Sequence, residues 1–394
     1  MKNLLTAALV LIIVGCKSNA IPEAFDNKLK VATFNVSMEA SNYVQGEAIK
    51  KGPQVLMELL AKGEHPQIHN IAEIIQRTRP DVILLNEFDY IDSPQLGVKA
   101  FINNFLSKPH GDAQPIDYPY VFVGPSNTGL PTTFDLDNNG KVEGFGADAQ
   151  GFGQYYGHYG MALLSRYPID YQHIRTFAQF RWADMPQALA PVYPDTQKPF
   201  YEPQEWQSLR LSSKSHWDVP VMVNDKTLHV LVSHPTPPVF DGPDDHNGAR
   251  NHDEVRFWHD YIRPQHASYI YDDRGVYGGL AANSAFVIMG DQNAATDGGN
   301  ARKEAIRALL TSPLVNQTFI PQSEGGKENK PDVNGSQYHT SGWGMRVDYV
   351  IPSYQLNVIN GGVFWPAKDD ALYRLVKDRK SSSDHRLVWL EVGF

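Results

Sequence analysis

Near the end of the chain an aspartate and a histidine stand side by side, Asp384 and His385, between a serine run and an alternating apolar segment in SSSDHRLVWLEV. Alone, such a pair is a polar turn feeding a strand. Its meaning changes beside the other polar residues found at or near the ends of apolar runs. These are Asn35 in ATFNV, Glu87 in VILLNE, His234 in VSHPTPP, Asp291 and Asn293 in MGDQNA, and Asp348 in RVDYVI. Each has a plain explanation on its own: Asn35 as a turn cap, GDQN as a turn, His234 as a satisfied histidine at a sheet rim. Asp348 is harder to dismiss, because a carboxylate among apolar strand residues is costly unless paired. As a set they suit one chemistry, the hydrolysis of a phosphoester. That reaction needs a hard cation held by carboxylate or amide oxygens, an activated water, and a group that stabilises the departing oxygen. An aspartate bonded to a distant histidine fixes the imidazole's tautomer and raises its basicity. Hard oxygen ligands, with few histidines among them, favour Mg²⁺ or Mn²⁺ over Zn²⁺.

Strands and helices must carry these groups to one place. Alternation in LKVATFN predicts a strand that delivers Asn35 at its end. Ile68, Ile71, Ile74 and Ile75 recur at helical spacing before Pro80, and the apolar run at 82–85 then reads as a strand buried on both faces, with Glu87 just past it. Further strands are expected over 160–165, 227–235, 285–293 and 346–353, and in the closing RLVWLEV, with helices over 251–263 and 301–310. Strands outnumber helices without clean alternation, which predicts an α/β protein with mixed sheets. Residues 106–159 and 183–220 read as long loops, the second with six prolines. Loops of such length usually decorate a site.

The 394 residues carry a net charge of −9, which argues against a general nucleic-acid coat but not against a compact basic site. Residues 1–15 have a basic start and an apolar stretch too short to span a bilayer, followed by VGC and the sole cysteine, Cys16. An ordinary signal peptide would leave Cys16 incidental. IVGC instead resembles a bacterial lipobox, whose cysteine is lipidated, with residues 16–28 as a tether and 29–394 as the folded domain. The expected location is then extracytoplasmic and lipid-anchored, with the outer membrane as the favoured one. The sole cysteine also leaves no pair for a disulfide and no cysteine cluster for a metal.

The ordered series ATFNV, PDVILLNE, GMALLSRYPI, VSHPTPP, MGDQNA, RVDYVI and SSDHRLV resembles the endonuclease/exonuclease/phosphatase superfamily, across residues 29–394. The resemblance implies a deoxyribonuclease I-like, four-layer α/β/β/α sandwich with its site where the two sheets meet. It also implies roles. Glu87 is the principal Mg²⁺ ligand, with Asn35 and Asp384 near the metal or its waters. His385 contacts the phosphate or acts as base and pairs with Asp348, while Asp291 orients or deprotonates the water. Asn293 holds a phosphate oxygen, and His234 donates toward phosphate or leaving group.

Substrate signals are weaker. Arg250, His252 and Arg256 lie on or before a helix and serve either as phosphate contacts or as solvated charges. Basic residues outnumber acidic ones around Arg374, Arg379 and Arg386. Asp135, Asp137 and Asn139 before Gly140 resemble the first half of a calcium loop, although Gly146 stands where a glutamate would close it; the plain alternative is an Asx-rich turn. The expected function is metal-dependent hydrolysis of small or lipid-like phosphoesters by a monomer. The alternatives are a secreted nuclease acting on DNA or RNA and a non-catalytic surface binding module.

Overall fold

The computed structural model describes residues 28–394, so Cys16, the signal segment and nearly all of the tether lie outside the described residues. Its strands, in chain order, are β1 (Lys28–Met38), β2 (Val82–Phe88), β3 (Tyr120–Phe122), β4 (Met161–Ser165), β5 (Arg175–Thr176), β6 (His216–Val223), β7 (Lys226–Ser233), β8 (Ala285–Asp291), β9 (Asp348–Pro352), β10 (Asn357–Val363) and β11 (Val388–Gly393). They form two mixed sheets, ordered β10-β11-β1-β2-β4-β3 and β5-β6-β7-β8-β9. Four helices of two turns or more flank them: α1 (Gln54–Lys62), α2 (Pro66–Thr78), α3 (His246–Tyr261) and α4 (Lys303–Leu310).

Alternation along the strands of the second sheet separates its two faces. Val230 and Val232 of β7, Val287 and Met289 of β8 and Val350 of β9 join the core that also holds β1, β2 and α2. Leu231, Phe286, Ile288, Tyr349 and Ile351 point the other way and pack with Trp258 of α3 and Ile306 of α4. The layers therefore run helix, sheet, sheet, helix, as the resemblance implied. Pro66 starts α2 at a position where its missing N–H is harmless, and Arg79 ends it in the left-handed region.

Both long-loop expectations fail in part. The loop read over 106–159 contains β3, which pairs with β4 from Tyr120↔Ser165 to Phe122↔Leu163. The loop read over 183–220 contains the start of β6, which pairs with β7 from His216↔Ser233 to Val223↔Lys226. Pro220 looks like a strand breaker, yet it lies where β5 has already ended and only the bridge Ile169↔Val221 continues the pairing. On that thinly covered side a missing N–H removes no regular ladder bond.

Both sheets contain one parallel pair among antiparallel neighbours, β1 with β2 and β7 with β8. The carboxyl ends of these four strands and the amino ends of β9 and β11, antiparallel to β8 and β1, fall at the same end of the molecule. Among the described residues no helix is long and apolar enough to cross a membrane.

Candidate active site

Asn35 and Glu87 come from β1 and β2, His234 follows β7, Asp291 ends β8, Asp348 opens β9 and His385 precedes β11. The register Asp291↔Asp348 sets those two carboxylates on neighbouring strands. Three non-glycine residues at this end take positive φ: Ser37 at 48°, Glu87 at 54° and Asn293 at 50°. The β1–β2 register also shifts between Asn35 and Met38. Such irregularities re-aim side chains off the pleat and gather at functional ends of sheets.

Asp291 is the hub. Its Oδ2 accepts from Asn35 Nδ2 at 3.1 Å and faces His234 Nε2 at 3.4 Å and His385 Nε2 at 3.6 Å. Its Oδ1 accepts from the Asn293 backbone N–H at 2.9 Å. His385 Nδ1 meets Asp348 Oδ2 at 3.0 Å, and Thr340 Oγ1 donates to that oxygen at 2.7 Å. Burial alone pushes the Asp291 carboxyl up, but His385 and His234 outweigh it and hold the group well below the usual range. Burial pushes Asp348 up, against the opposing charge of His385. For His385, burial is overcome by Asp348 and Asp291, and the imidazole is raised. His234 goes the other way, lowered by burial and by the nearby Lys214 ammonium. Asp291, Asp348 and His385 are close enough to cage a metal. Their pairing, with each imidazole nitrogen facing one carboxylate, reads instead as a positioned imidazolium.

A second cluster gathers on Arg379. Its guanidinium lies 3.0 Å from Asp384 Oδ2, 3.6 Å from Glu39 Oε1 and 4.0 Å from Glu87 Oε2. Carboxylates from three distant segments thus converge on one point with more negative charge than the guanidinium cancels. That donor set fits a hard divalent cation. Asp384 is the most exposed of them, at 31% of its side chain against 17% for Glu87 and 2% for Glu39.

A model of the Endonuclease/Exonuclease/phosphatase family matches residues 32–385. The chain belongs to that family. Solved structures similar to it include an endonuclease/exonuclease/phosphatase from Beutenbergia cavernae DSM 12333, at 17% identity and TM-score 0.50, covering 93% of this chain and 72% of that one. A family protein from Leptotrichia buccalis C-1013-b is 15% identical at TM-score 0.46, covering 93% and 100%. Sphingomyelinase C from Streptomyces griseocarneus is 12% identical at TM-score 0.45, covering 92% and 99%. The likeness to the Beutenbergia cavernae structure shows the fold. No curated protein matches the chain in sequence.

In this family member the remaining sequence-read residues sit apart from the hub. Arg250 lines the neighbouring cavity, yet its Nε and Nη2 donate to the carbonyls of Leu211, Arg210 and Gln150. Arg256 is tied to Asp260 and to the carbonyls of Pro186 and Gln187, and belongs to the helix's packing. Asp135 and Asp137 do converge with a third carboxylate, Asp148, two residues beyond the Gly146 position. Asn139 donates to Asp135 and Asp137 from its backbone N–H, at 3.0 and 3.2 Å. Asp148 accepts from Leu136 N at 2.8 Å and Glu143 N at 2.7 Å, closing the turn through backbone bonds.

Glu39, Lys214 and Arg379 escape a reading based on strand ends. Glu39 follows β1 and bonds His158 at 3.1 Å; the one available signal was an acid directly after a strand. Arg379 hides in a basic run whose members separate in space, since Arg374 pairs with Glu73 while Arg386 donates to the carbonyls of Ser383, His385 and Val376.

Proposed function

We propose that the chain hydrolyses phosphoester bonds, with Mg²⁺ or Mn²⁺ held at Glu87, Asp384 and Asn35. The observation that carries this reading is Asp291, bound on one oxygen by Asn293 and facing Asn35, His234 and His385 with the other. The cation would neutralise charge on the phosphoryl group. Asp291 orients the attacking water and accepts its proton. His385, gripped between Asp348 and Asp291, presents positive charge to a phosphoryl oxygen. Asn293 Nδ2 donates to Pro235 O at 3.1 Å, which steadies its amide beside the same oxygen. In this reading Ca²⁺ is the ion for the Asp135, Asp137 and Asn139 loop, outside the chemistry.

The cavities at this end, of about 450 and 330 Å³, suit single organic groups. That size and the net charge of −9 favour small or lipid-like phosphoesters over a nucleic-acid duplex. The test is a panel of phosphomonoesters and diesters beside plasmid DNA, with Mg²⁺, Mn²⁺ and Ca²⁺, each against a chelator. Chelator-sensitive hydrolysis of small esters is expected. Plasmid cutting at low enzyme with every small ester untouched would turn the reading to the nuclease. The lipid anchor at Cys16 belongs to the same proposal, and loss of membrane retention in Cys16→Ser is its check.

A further inference from the structure

The two cavities adjoin and share Glu87, Pro237, Val239, Phe240 and Arg379 in their linings. Asp291, Asn293, Asp384 and His385 line the smaller. The larger is lined by His234, Lys214 and Arg250 and by apolar groups that include Leu136, Tyr201 and Val239. Nothing in the proposed reaction uses Lys214, yet this buried cation has no close carboxylate partner. The residue is 5% exposed. Its Nζ donates to Pro235 O over a long 3.4 Å. No carboxylate among the described residues forms an ion pair with it. A buried ammonium so poorly matched is costly unless an anion completes it.

The position is built rather than accidental. Lys214 O accepts from Asn127 N at 2.9 Å, and the preceding Ser213 N donates to Glu254 Oε1 at 2.6 Å. A Cβ on Gly151 would lie 2.0 Å from Ser213 O, so the loop packs against this segment with no slack. Arg250 cannot substitute, since its guanidinium is engaged with three carbonyls. His234 is the weaker source of charge, because burial and the Lys214 ammonium lower its pKa.

In-line displacement sets the departing oxygen opposite the incoming water. Water at Asp291 approaches from the smaller cavity, so the departing oxygen faces the larger one. We propose that Lys214 is a catalytic cation for that oxygen, and that its cavity takes the ester's organic group, an apolar alcohol. This rests on the phosphoesterase reading above. The water oxygen bonds phosphorus as its proton passes to Asp291. The bond from phosphorus to the alcohol oxygen breaks with its electron pair on that oxygen, which the Lys214 N–H groups stabilise. The alcohol takes its proton from solvent on release, and Asp291 returns its own.

The experiment compares Lys214→Met and Lys214→Arg with wild type on matched hexyl and p-nitrophenyl phosphoesters, in the full chain with saturating Mg²⁺. Hexyl alkoxide needs help to leave and p-nitrophenolate does not. Lys214→Met should lower kcat about 100-fold on the hexyl ester but less than ~10-fold on the p-nitrophenyl ester, with Lys214→Arg recovering part of the loss. Its melting temperature should hold or rise, since a buried charge has gone. Equal losses on both esters, or none, overturn the proposal. If Lys214→Met does not fold, Lys214→Arg decides: its displaced charge must slow the hexyl ester selectively, and equal effects refute the assignment. A wild type inactive on both esters removes the phosphoesterase reading, and this inference with it.

Discussion

Asp348 and Asp291 face opposite nitrogens of His385, and that arrangement has a kinetic consequence. Asp348→Asn keeps the volume but loses the charge that holds the imidazole's tautomer, so kcat should fall roughly 10³–10⁴-fold with little change in fold. Steady-state kinetics beside circular dichroism checks this; a loss within tenfold would detach Asp348 from the chemistry. Glu87→Ala and His385→Ala should each cost several orders of magnitude. The strand-end residues were legible because a polar group at the end of an apolar run stands out against its neighbours. Lys214 was not, because SSKSH has no apolar period to contrast with and its burial comes from loops far away in sequence.

Elements set these residues through close approaches that few side chains tolerate. Gly290 has φ +145°, and a Cβ there would lie 2.1 Å from Ser233 O, the residue before His234. Gly290→Ala must part β7 from β8 just where His234 and Asp291 meet. Stability should fall by about 2–4 kcal/mol and activity by at least about tenfold, read from denaturant melts and initial rates. On β6, His216 is buried between Ser212 Oγ at 2.6 Å and the Glu254 carbonyl at 2.9 Å. Burial lowers its pKa to about 4, with Glu254 only partly opposing. The unfolded chain therefore binds the proton first. The stability this neutral imidazole contributes is complete above about pH 6.5 and falls by about 3 kcal/mol as pH drops toward 4. A His216→Gln variant should show a shallower fall across that window; an unchanged slope would assign acid loss to other groups. β6 itself was obscured by Pro220, because sequence does not reveal which side of a strand is left uncovered.

For the whole molecule, the layer order was legible through the resemblance of the ordered motifs, whereas the two parallel pairs and the convergence of Glu39, Glu87 and Asp384 on Arg379 were not. Those carboxylates come from three separate segments, with Asp384 far along the chain from Glu39 and Glu87, and no local pattern encodes their meeting. A cation that binds them stabilises the fold by mass action, about 3 kcal/mol at a hundredfold excess over Kd. Mg²⁺ should accordingly raise the wild-type Tm by a few degrees, saturably, and leave Glu87→Ala unmoved; a wild type whose Tm ignores Mg²⁺ and Mn²⁺ would refute the cation site. β11 sits between β10 and β1, so among the described residues the last strand is a neighbour of the first. A ribosome still holding β11 holds a chain whose His385 has no place to dock. The proposed site is therefore incomplete until β11 has left the ribosome and closed the sheet.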